Sequence, residues 1–223
     1  MSTEKKYAHA VIATDVVIFT VEEGQLKTLL IEMKKKPYEG HWAFPGGLVR
    51  PDESLDESAG RQLADKTGVK NVYLEQLASF GEPNRDPFGR VVSVAYFAII
   101  PIGTKELKTS EEYGGVAWYP AVKLPPLAYD HKEIFIVALA RLRAKLEYTN
   151  MVYTLMPAEF TLSELQRVYE IILGKTLDKR NFRKKLDQLN LLATAKGKRE
   201  GSAYRPAQLY RFKSHTPMQV ELL

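Results

Sequence analysis

The sequence predicts an α/β protein in two parts, a mixed α/β sandwich over residues 1–148 and a smaller basic domain over residues 149–223. Strand-like and helix-like apolar patterns are mixed along the first part, whereas the second reads as two helices followed by two short strands. Residues 147–160, with Pro157 near their end, are predicted to be the linker. The first 150 residues carry 19 basic and 20 acidic side chains, and the rest carry 13 and 7, so the net charge of +5 lies entirely in the second part.

The composition excludes several classes of function. The chain has 223 residues, is 45% hydrophobic and contains no cysteine, so disulfides, thiol nucleophiles and cysteine-based zinc sites are excluded. No apolar run approaches the ~18 residues of a membrane-spanning helix, and the first ten residues lack the apolar segment of a signal peptide. We therefore expect a cytoplasmic protein with no membrane partner and no cofactor.

The first part is predicted to hold five strands and two helices. A turn at Glu23-Gly24 joins the first two strands, and Gly68 is expected to end the first helix. The second helix is predicted to begin with a capping box at Asp130 and Glu133. The strands are expected at residues 10–19, 27–33, 71–80, 91–100 and 115–119, and the helices at residues 55–67 and from residue 130, with Ile134, Ala138, Leu142 and Leu146 on one apolar stripe.

The most informative motif covers residues 47–69. Its spacing of Gly47, Glu53, Arg61, Gly68 and Val69 resembles the Nudix box, G-x5-E-x7-R-E-U-x-E-E-x-G-U, where U is a bulky aliphatic residue. That pattern uses three glutamates, on one helix face, to bind Mg²⁺. The corresponding residues in this chain are Gln62, Asp65 and Lys66, whose charges sum to zero instead of −3. We therefore predict no metal site and no catalytic residues.

The residues before the box support the same resemblance. The run from His41 to Gly47 reads HWAFPGG, which is similar to the usual Nudix lead-in. Gly46 and Gly47 are expected to adopt backbone conformations that other residues avoid and to allow close approach of a ligand. Arg61 is expected to hold the loop and helix together through Glu57 or Glu53.

The second part has the layout of a winged helix-turn-helix. A capping box at Thr161 and Glu164 opens one helix, which Gly174 ends. A second helix, about residues 178–190, has Asp178 as its N-cap and buries Phe182, Leu186 and Leu189. The candidate DNA-binding residues lie elsewhere on this helix and on a basic wing that follows it: Lys179, Arg180, Asn181, Arg183, Lys184, Gln188, Lys196, Lys198, Arg199 and Arg205.

These residue types suit a DNA partner. Lysine and arginine neutralise phosphates, arginine also recognises guanine, and asparagine or glutamine recognises adenine. The alternative is a basic amphipathic helix that only packs on its own domain. The combination of two helices and a basic wing favours binding to double-stranded DNA.

Taken together, the chain resembles the Nudix-related transcriptional regulators over nearly its whole length. The resemblance rests on the degenerate box, its lead-in, and the segments at residues 85–98, 126–131, 160–186 and 205–212. It implies a homodimer on a palindromic operator and a regulator, most often a repressor, of NAD metabolism that responds to ADP-ribose or a related nucleotide. Sister groups of the family respond to sugars, and the sequence does not choose between these effectors.

The resemblance also places the effector site. Residues 85–90, RDPFGR, match a loop that lies near the ligand in ADP-ribose-binding Nudix proteins. Arg85 and Arg90 are expected to bind a diphosphate, and Phe44 to contact a base or sugar. The alternative for both arginines is a solvated hairpin loop. The complete predicted effector set is Phe44, Gly46, Gly47, Arg61, Arg85, Asp86 and Arg90.

Two other functions stay open at this level. Glu53, Glu57 and Asp65 are carboxylates, so an active Nudix hydrolase of ADP-ribose, with an accessory C-terminal domain, is the main alternative. The second alternative is an interaction module that uses its basic part to bind RNA or another protein. Mg²⁺-dependent turnover distinguishes the first, and sequence-selective duplex binding distinguishes the second.

Overall fold

A mixed seven-stranded sheet forms the centre of the first part of the chain. The computed structural model describes residues 9–101, 107–199 and 207–220. The strands are β1 (Val11–Glu22), β2 (Gln25–Met33), β3 (Trp42–Ala43), β4 (Gly46–Leu48), β5 (Glu75–Phe80), β6 (Val91–Ile99) and β7 (Tyr113–Pro120). The order is β3-β2-β1-β6-β5, with β4 also paired to β1 and β7 to β2. Only the β1–β6 pairing is parallel among these described pairs.

Helices cover both faces of this sheet, so the predicted α/β sandwich is confirmed. Val16 and Ile18 of β1 pack toward α1 (Leu55–Thr67), while Val17 and Phe19 pack toward α2 (His131–Tyr148). Successive side chains of a strand point to opposite faces, and all four are fully buried. This two-sided burial explains why β1 reads as a continuous apolar run. The predicted stripe on α2 is also buried, from Ile134 to Leu146.

The ends of these elements test the predicted turns and caps. Glu23 and Gly24 both have positive φ, as the tight turn between β1 and β2 requires. Gly68 ends α1 in the left-handed conformation, as predicted. The predicted capping box of α2 is wrong, because the Asp130 side chain accepts no hydrogen bond from the helix and binds Arg85 instead.

Two further differences concern the same part of the chain. A capping box of Ser54 and Glu57, which the sequence analysis did not predict, begins α1. Strand β5 begins at residue 75 instead of 71, since Asn71 has a φ of 56° that interrupts extended backbone.

The second part contains two helices and a two-stranded sheet, in the order predicted. They are α3 (Leu162–Leu173), α4 (Lys179–Leu189), β8 (Leu192–Arg199) and β9 (Ala207–Phe212). The capping box of Thr161 and Glu164 is confirmed, as are the left-handed Gly174 and the Asp178 N-cap, which accepts a 2.8 Å hydrogen bond from the backbone N–H of Asn181.

Residues 147–160 are not a free linker. Helix α2 runs to Tyr148, and a short 3-10 helix at Met151–Leu155 follows, with Val152 fully buried. The side chain of Asn150 donates to the carbonyl of Thr216 at 3.1 Å and accepts from the backbone N–H of Met218 at 2.8 Å. The prediction failed because the apolar residues of this short segment follow no helical or strand period, yet they have a core to enter.

One hydrophobic core joins the two parts. Phe19 and Leu30 of the sheet, Leu142 of α2, and Leu165 and Tyr169 of α3 belong to a single buried cluster. Because these side chains exclude water together, α3 is held directly against the sandwich. Within the residues that the structure describes, no helix is long and apolar enough to cross a bilayer.

Candidate functional site

A cavity of about 370 Å³ lies beside the box helix, between β1, β4, the loop at residues 81–90 and the start of α2. Its polar and charged lining residues are Asp15, Lys66, Arg85, Asp86, Tyr113, Tyr129 and His131, and its other lining residues include Phe44, Gly46, Gly47 and Phe88. We call it the Lys66 cavity. Five of the seven predicted effector residues line it, whereas Arg61 and Arg90 do not.

The box helix presents an ammonium group to this cavity. The Lys66 side chain donates to the carbonyl of Gly46, and its Nζ lies 5.1 Å from the centre of the Tyr113 ring. Gln62 is buried, with its Nε2 donating to the carbonyl of Leu48 at 3.3 Å, while Asp65 is exposed. Across the described ranges, no three His, Asp or Glu side chains are grouped to hold a metal ion. The residues that replace the Nudix glutamates do not fit a divalent cation.

Burial sets the protonation of Lys66. Desolvation lowers its pKa to about 8, against the opposing fields of Asp15 and Glu112. The side chain therefore still carries most of its positive charge at pH 7.

A buried aspartate that the sequence analysis did not select lies behind the cavity. Asp15 is 6% exposed in the middle of β1, and its carboxylate accepts a 2.6 Å hydrogen bond from the Ser93 hydroxyl. Arg85 and His131 each place a nitrogen 3.5 Å from this carboxylate. The sequence alone could have identified Asp15, because a charged residue inside the apolar run VIATDVVIF is expected to be buried and to need polar partners.

Arg85 is bound within the protein. Its Nε and Nη2 donate to the two carboxylate oxygens of Asp130 at 2.7 and 2.6 Å, and its side chain is 3% exposed. The alternative of a solvated loop arginine is therefore wrong for Arg85. The bidentate edge that we expected to bind a diphosphate is occupied by Asp130.

His131 connects α2 to the lead-in. Its Nδ1 accepts a 2.9 Å hydrogen bond from the backbone N–H of Phe44, so the ring is neutral with its proton on Nε2, facing Asp15. Desolvation also lowers the pKa of His131, which favours the same neutral form. The Phe44 ring is 1% exposed and lies between His131 and Phe135, at centroid distances of 5.5 and 6.5 Å. The ring therefore packs between two side chains of α2, and its contact with a base or sugar stays a prediction.

The two arginines outside the cavity stabilise loops. Arg61 donates to both carboxylate oxygens of Glu53, which lowers the pKa of Glu53 to about 2, and this confirms the predicted pairing of the two. Glu57 instead serves the cap of α1. Arg90 is exposed and donates to the carbonyl of Gly81 at 2.8 Å, so it shapes its own loop.

The remaining predicted residues fit closely against their neighbours. A side chain at Gly46 would overlap the Asp15 carboxylate, and a Cβ at Gly47 would lie 2.6 Å from the Gln62 side chain. Gly46 is therefore required by close packing, since the Thr14 carbonyl also lies 2.6 Å from that Cβ, whereas at Gly47 the Gln62 side chain would have to move. Neither glycine has a positive φ. Asp86 accepts a 2.8 Å hydrogen bond from the backbone N–H of Phe88, whose ring is 73% exposed at the rim of the cavity.

A second cavity, of about 1040 Å³, lies between β6 and the 3-10 helix. It is larger than the Lys66 cavity but mainly apolar, and its Lys145 is paired with Glu75. Of these two cavities, the Lys66 cavity is the one at which the box helix and its lead-in meet, so it is the candidate ligand site.

Helix α4 presents a basic, solvent-exposed face. Phe182 and Leu186 are buried, at 3% and 2% exposure, and hold the helix on the core. The candidate residues on the rest of the helix are all exposed: Lys179, Arg180, Asn181, Arg183, Lys184 and Gln188. We call these six the α4 face. With four cations and two amides, it is able to contact both phosphates and base edges.

The predicted wing is a two-stranded antiparallel sheet. Strands β8 and β9 pair from Leu192–Phe212 to Arg199–Ala207, and Phe160 adds a bridge to Tyr210. Of the wing residues, Lys196 is exposed. Lys198 and Arg199 lie in β8, while Arg205 lies outside the described residues.

Two family models match the chain in succession. Residues 11–137 match the NUDIX domain, and residues 152–212 match the NrtR DNA-binding winged helix domain. The chain is also 43% identical, over 211 residues, to the ADPR responsive transcriptional repressor NtrR of Acinetobacter baylyi, covering 92% of this chain and 83% of that protein. The chain belongs to the NrtR family of Nudix-related regulators.

Solved structures agree with this assignment. Shewanella oneidensis NrtR in complex with a 27mer DNA has a TM-score of 0.75 at 35% identity, covering 91% of this chain and 93% of that one. The NUDIX domain of the same protein with ADP ribose has a TM-score of 0.57 at 34% identity, covering 63% and 94%. An ADP-ribose pyrophosphatase of Methanocaldococcus jannaschii is 33% identical over 128 residues, covering 57% of this chain and 72% of that enzyme. The Nudix part of this chain is thus similar both to regulators and to an enzyme.

Proposed function

We propose that this protein is a DNA-binding transcriptional repressor whose Nudix domain binds ADP-ribose, and that this binding releases the protein from its operator. The observation that carries the proposal is the combination, in one core, of a Nudix cavity with Lys66 in place of a metal ligand and the exposed α4 face. A DNA complex and an ADP-ribose complex of S. oneidensis NrtR support the two partners. By the family resemblance, the regulated genes belong to NAD metabolism.

We propose that effector binding and DNA binding are carried out by the two predicted domains. Residues 1–148 form the sensor and residues 149–223 the DNA-binding unit, with α4 as the recognition helix and the wing beside it. We propose a homodimer, because two recognition helices related by a two-fold axis match a palindromic operator.

Helix α2 is the proposed connection between the two sites. Its start carries Asp130 and His131 at the Lys66 cavity, and near its end Arg143 donates to the carbonyl of Ile172 in α3 at 2.9 Å. The helix from His131 to Arg143 spans about 18 Å, so a shift at the cavity is carried rigidly to α3. A ligand bound beside Arg85 would disturb the pairing of Arg85 with Asp130 and favour a second position of α2. Allosteric coupling of this kind is typically about 1–3 kcal/mol.

The experiment is selection of duplex DNA from a random library by the full chain, followed by titration with ADP-ribose. We expect the selected sequences to share a palindrome and the bound fraction to fall as ADP-ribose is added. Selection of no common sequence would contradict the DNA-binding role, while binding that ADP-ribose leaves unchanged would contradict the effector.

The competing function is ADP-ribose hydrolysis, which the identity to the M. jannaschii enzyme favours. We propose that turnover is absent or weak, because Gln62 and Lys66 supply no carboxylate to the cavity. Release of AMP from ADP-ribose, measured with and without Mg²⁺, distinguishes the two. Rapid Mg²⁺-dependent release would favour the enzyme.

A further inference from the structure

The cationic side chains of the Lys66 cavity are not equally available to a ligand. Two cations line it, Arg85 and Lys66. Arg85 is committed to Asp130 and faces Asp15. An ammonium has three N–H donors, and the hydrogen bond shown for Lys66 goes to the carbonyl of Gly46. Against the residues that the structure describes, Lys66 therefore has further N–H donors to offer a ligand.

Lys66 occupies the position of a metal-binding glutamate in the Nudix pattern. In the Nudix pattern this residue is one of the glutamates that bind Mg²⁺, and a metal there would neutralise the phosphates of the ligand. Here the side chain itself carries the positive charge, from the same helix face and over the same glycine lead-in.

The surrounding charges make this ammonium necessary for an anion. Asp15 and Asp86 line the cavity, and Asp130 is bound to Arg85. These three carboxylates exceed the charges of Arg85 and Lys66 by one. Without Lys66 the excess rises from one negative charge to two, and the repulsion that a diphosphate meets on entering the cavity increases.

We propose that Lys66 replaces the metal ion of Nudix enzymes as the binding partner of the ligand's diphosphate, so that the cavity binds a nucleoside diphosphate sugar without any divalent cation. This inference rests on the proposed function, since it concerns the same effector. A tethered ammonium holds the phosphates but supplies neither the Lewis acid nor the activated water that hydrolysis needs. Lys66 thus accounts for binding of the diphosphate without a metal, and together with Gln62 for the proposed absence of turnover.

The test compares ADP-ribose binding to the full chain by calorimetry in EDTA and in Mg²⁺. Wild type is expected to bind equally in both. Lys66→Met keeps the length of the side chain and removes the charge, and we expect affinity to fall about 10- to 100-fold in both buffers, the usual worth of a charge-assisted hydrogen bond. The matched control is Lys132→Met, an exposed lysine of α2 outside the cavity, which should bind as wild type does.

A second variant tests the charge at this position. Lys66→Glu replaces the ammonium by a carboxylate, and we expect the affinity for ADP-ribose in EDTA to fall below that of Lys66→Met. Thermal melts of each variant establish that the protein compared is folded.

The outcomes separate the two claims. Wild type that binds no ADP-ribose in either buffer contradicts the proposed function. Wild type that binds, with Lys66→Met binding equally tightly, overturns only the role of Lys66. Wild-type binding that disappears in EDTA, or a folded Lys66→Glu protein that binds as tightly as wild type in EDTA, also overturns it.

Discussion

The Lys66 cavity and the α4 face use charge in opposite ways. In the cavity, buried Arg85 binds half-buried Asp130 and faces buried Asp15, across 45 and 70 residues of sequence. The contact between Asp15 and Ser93 spans 78 residues. On the α4 face the cations are exposed and neighbours along one helix. Charges of the first kind hold the fold together, whereas charges of the second kind remain free to meet a polyanion.

The largest expected effect tests the structural role of the cavity charges. Arg85→Met leaves Asp130 and Asp15 buried without their cation, so we expect the free energy of unfolding to fall by about 3–5 kcal/mol. Urea denaturation measures it. The control is Arg90→Met on the same loop, where exposure should limit the loss to about 1 kcal/mol or less. Equal stabilities of the two variants would mean that the buried pair stabilises nothing.

The next effect tests the α4 face. Arg180→Ala and Lys184→Ala should each weaken binding to the selected duplex by about 1–3 kcal/mol and leave the melting temperature unchanged, because both side chains are exposed. A variant that loses a base contact relaxes sequence preference, and one that loses a phosphate contact weakens all duplexes alike. Fluorescence anisotropy, with Lys132→Ala as control, measures this. Wild-type affinity in both variants would remove α4 as the recognition helix.

A pH experiment tests whether the buried ammonium strains the fold. The unfolded chain keeps the Lys66 proton up to its ordinary pKa near 10.5, but the folded chain loses it at about 8. The unfolded state binds more protons in this window, so wild-type stability rises with pH across it. Asp15, Glu112 and Asp65 oppose the shift, and Arg61 adds to it.

Lys66→Met removes that cost. With allowance for partial exposure, we expect it to stabilise the ligand-free protein by about 1–2 kcal/mol at pH 7, and the gain to shrink by pH 10. Thermal melts at the two pH values measure it. A gain that grows with pH would contradict the lowered pKa of Lys66.

The smallest effect concerns a cap outside both regions. Thr161→Ala removes the hydrogen bond to the backbone N–H of Glu164 and should cost about 1 kcal/mol. Asp130→Asn, at the start of α2, removes no cap but breaks an ion pair, and should therefore cost more. Urea denaturation of both compares them, and the reverse order would contradict the assignment of their roles.

Features that depend on local sequence patterns were predictable from the sequence. The α4 face and the caps at Thr161 and Asp178 were predictable because helical spacing and capping are local patterns. The degenerate box was predictable because its spacing is fixed, and it predicted that Arg61 pairs with Glu57 or Glu53, of which the structure shows Glu53.

The contacts of the cavity were not predictable in the same way. The pairing of Arg85 with Asp130 and the stacking of Phe44 on His131 join residues far apart in the chain. No local period encodes such a contact, so Arg85 was predicted to bind a diphosphate and Asp130 to cap a helix, and their pairing with each other was missed. The packed segment after Tyr148 was missed because the core that receives it comes from both parts of the chain.

The central claim is that a diphosphate binds Lys66 in the cavity and that this binding lowers the affinity of α4 for DNA. The most direct measurement is the fraction of selected duplex released by increasing ADP-ribose in EDTA, for wild type and Lys66→Met. We expect both to release the DNA, with the midpoint of the variant shifted to about 10- to 100-fold higher ADP-ribose. Superimposable release curves, or wild type that releases no DNA without a divalent cation, would contradict the account.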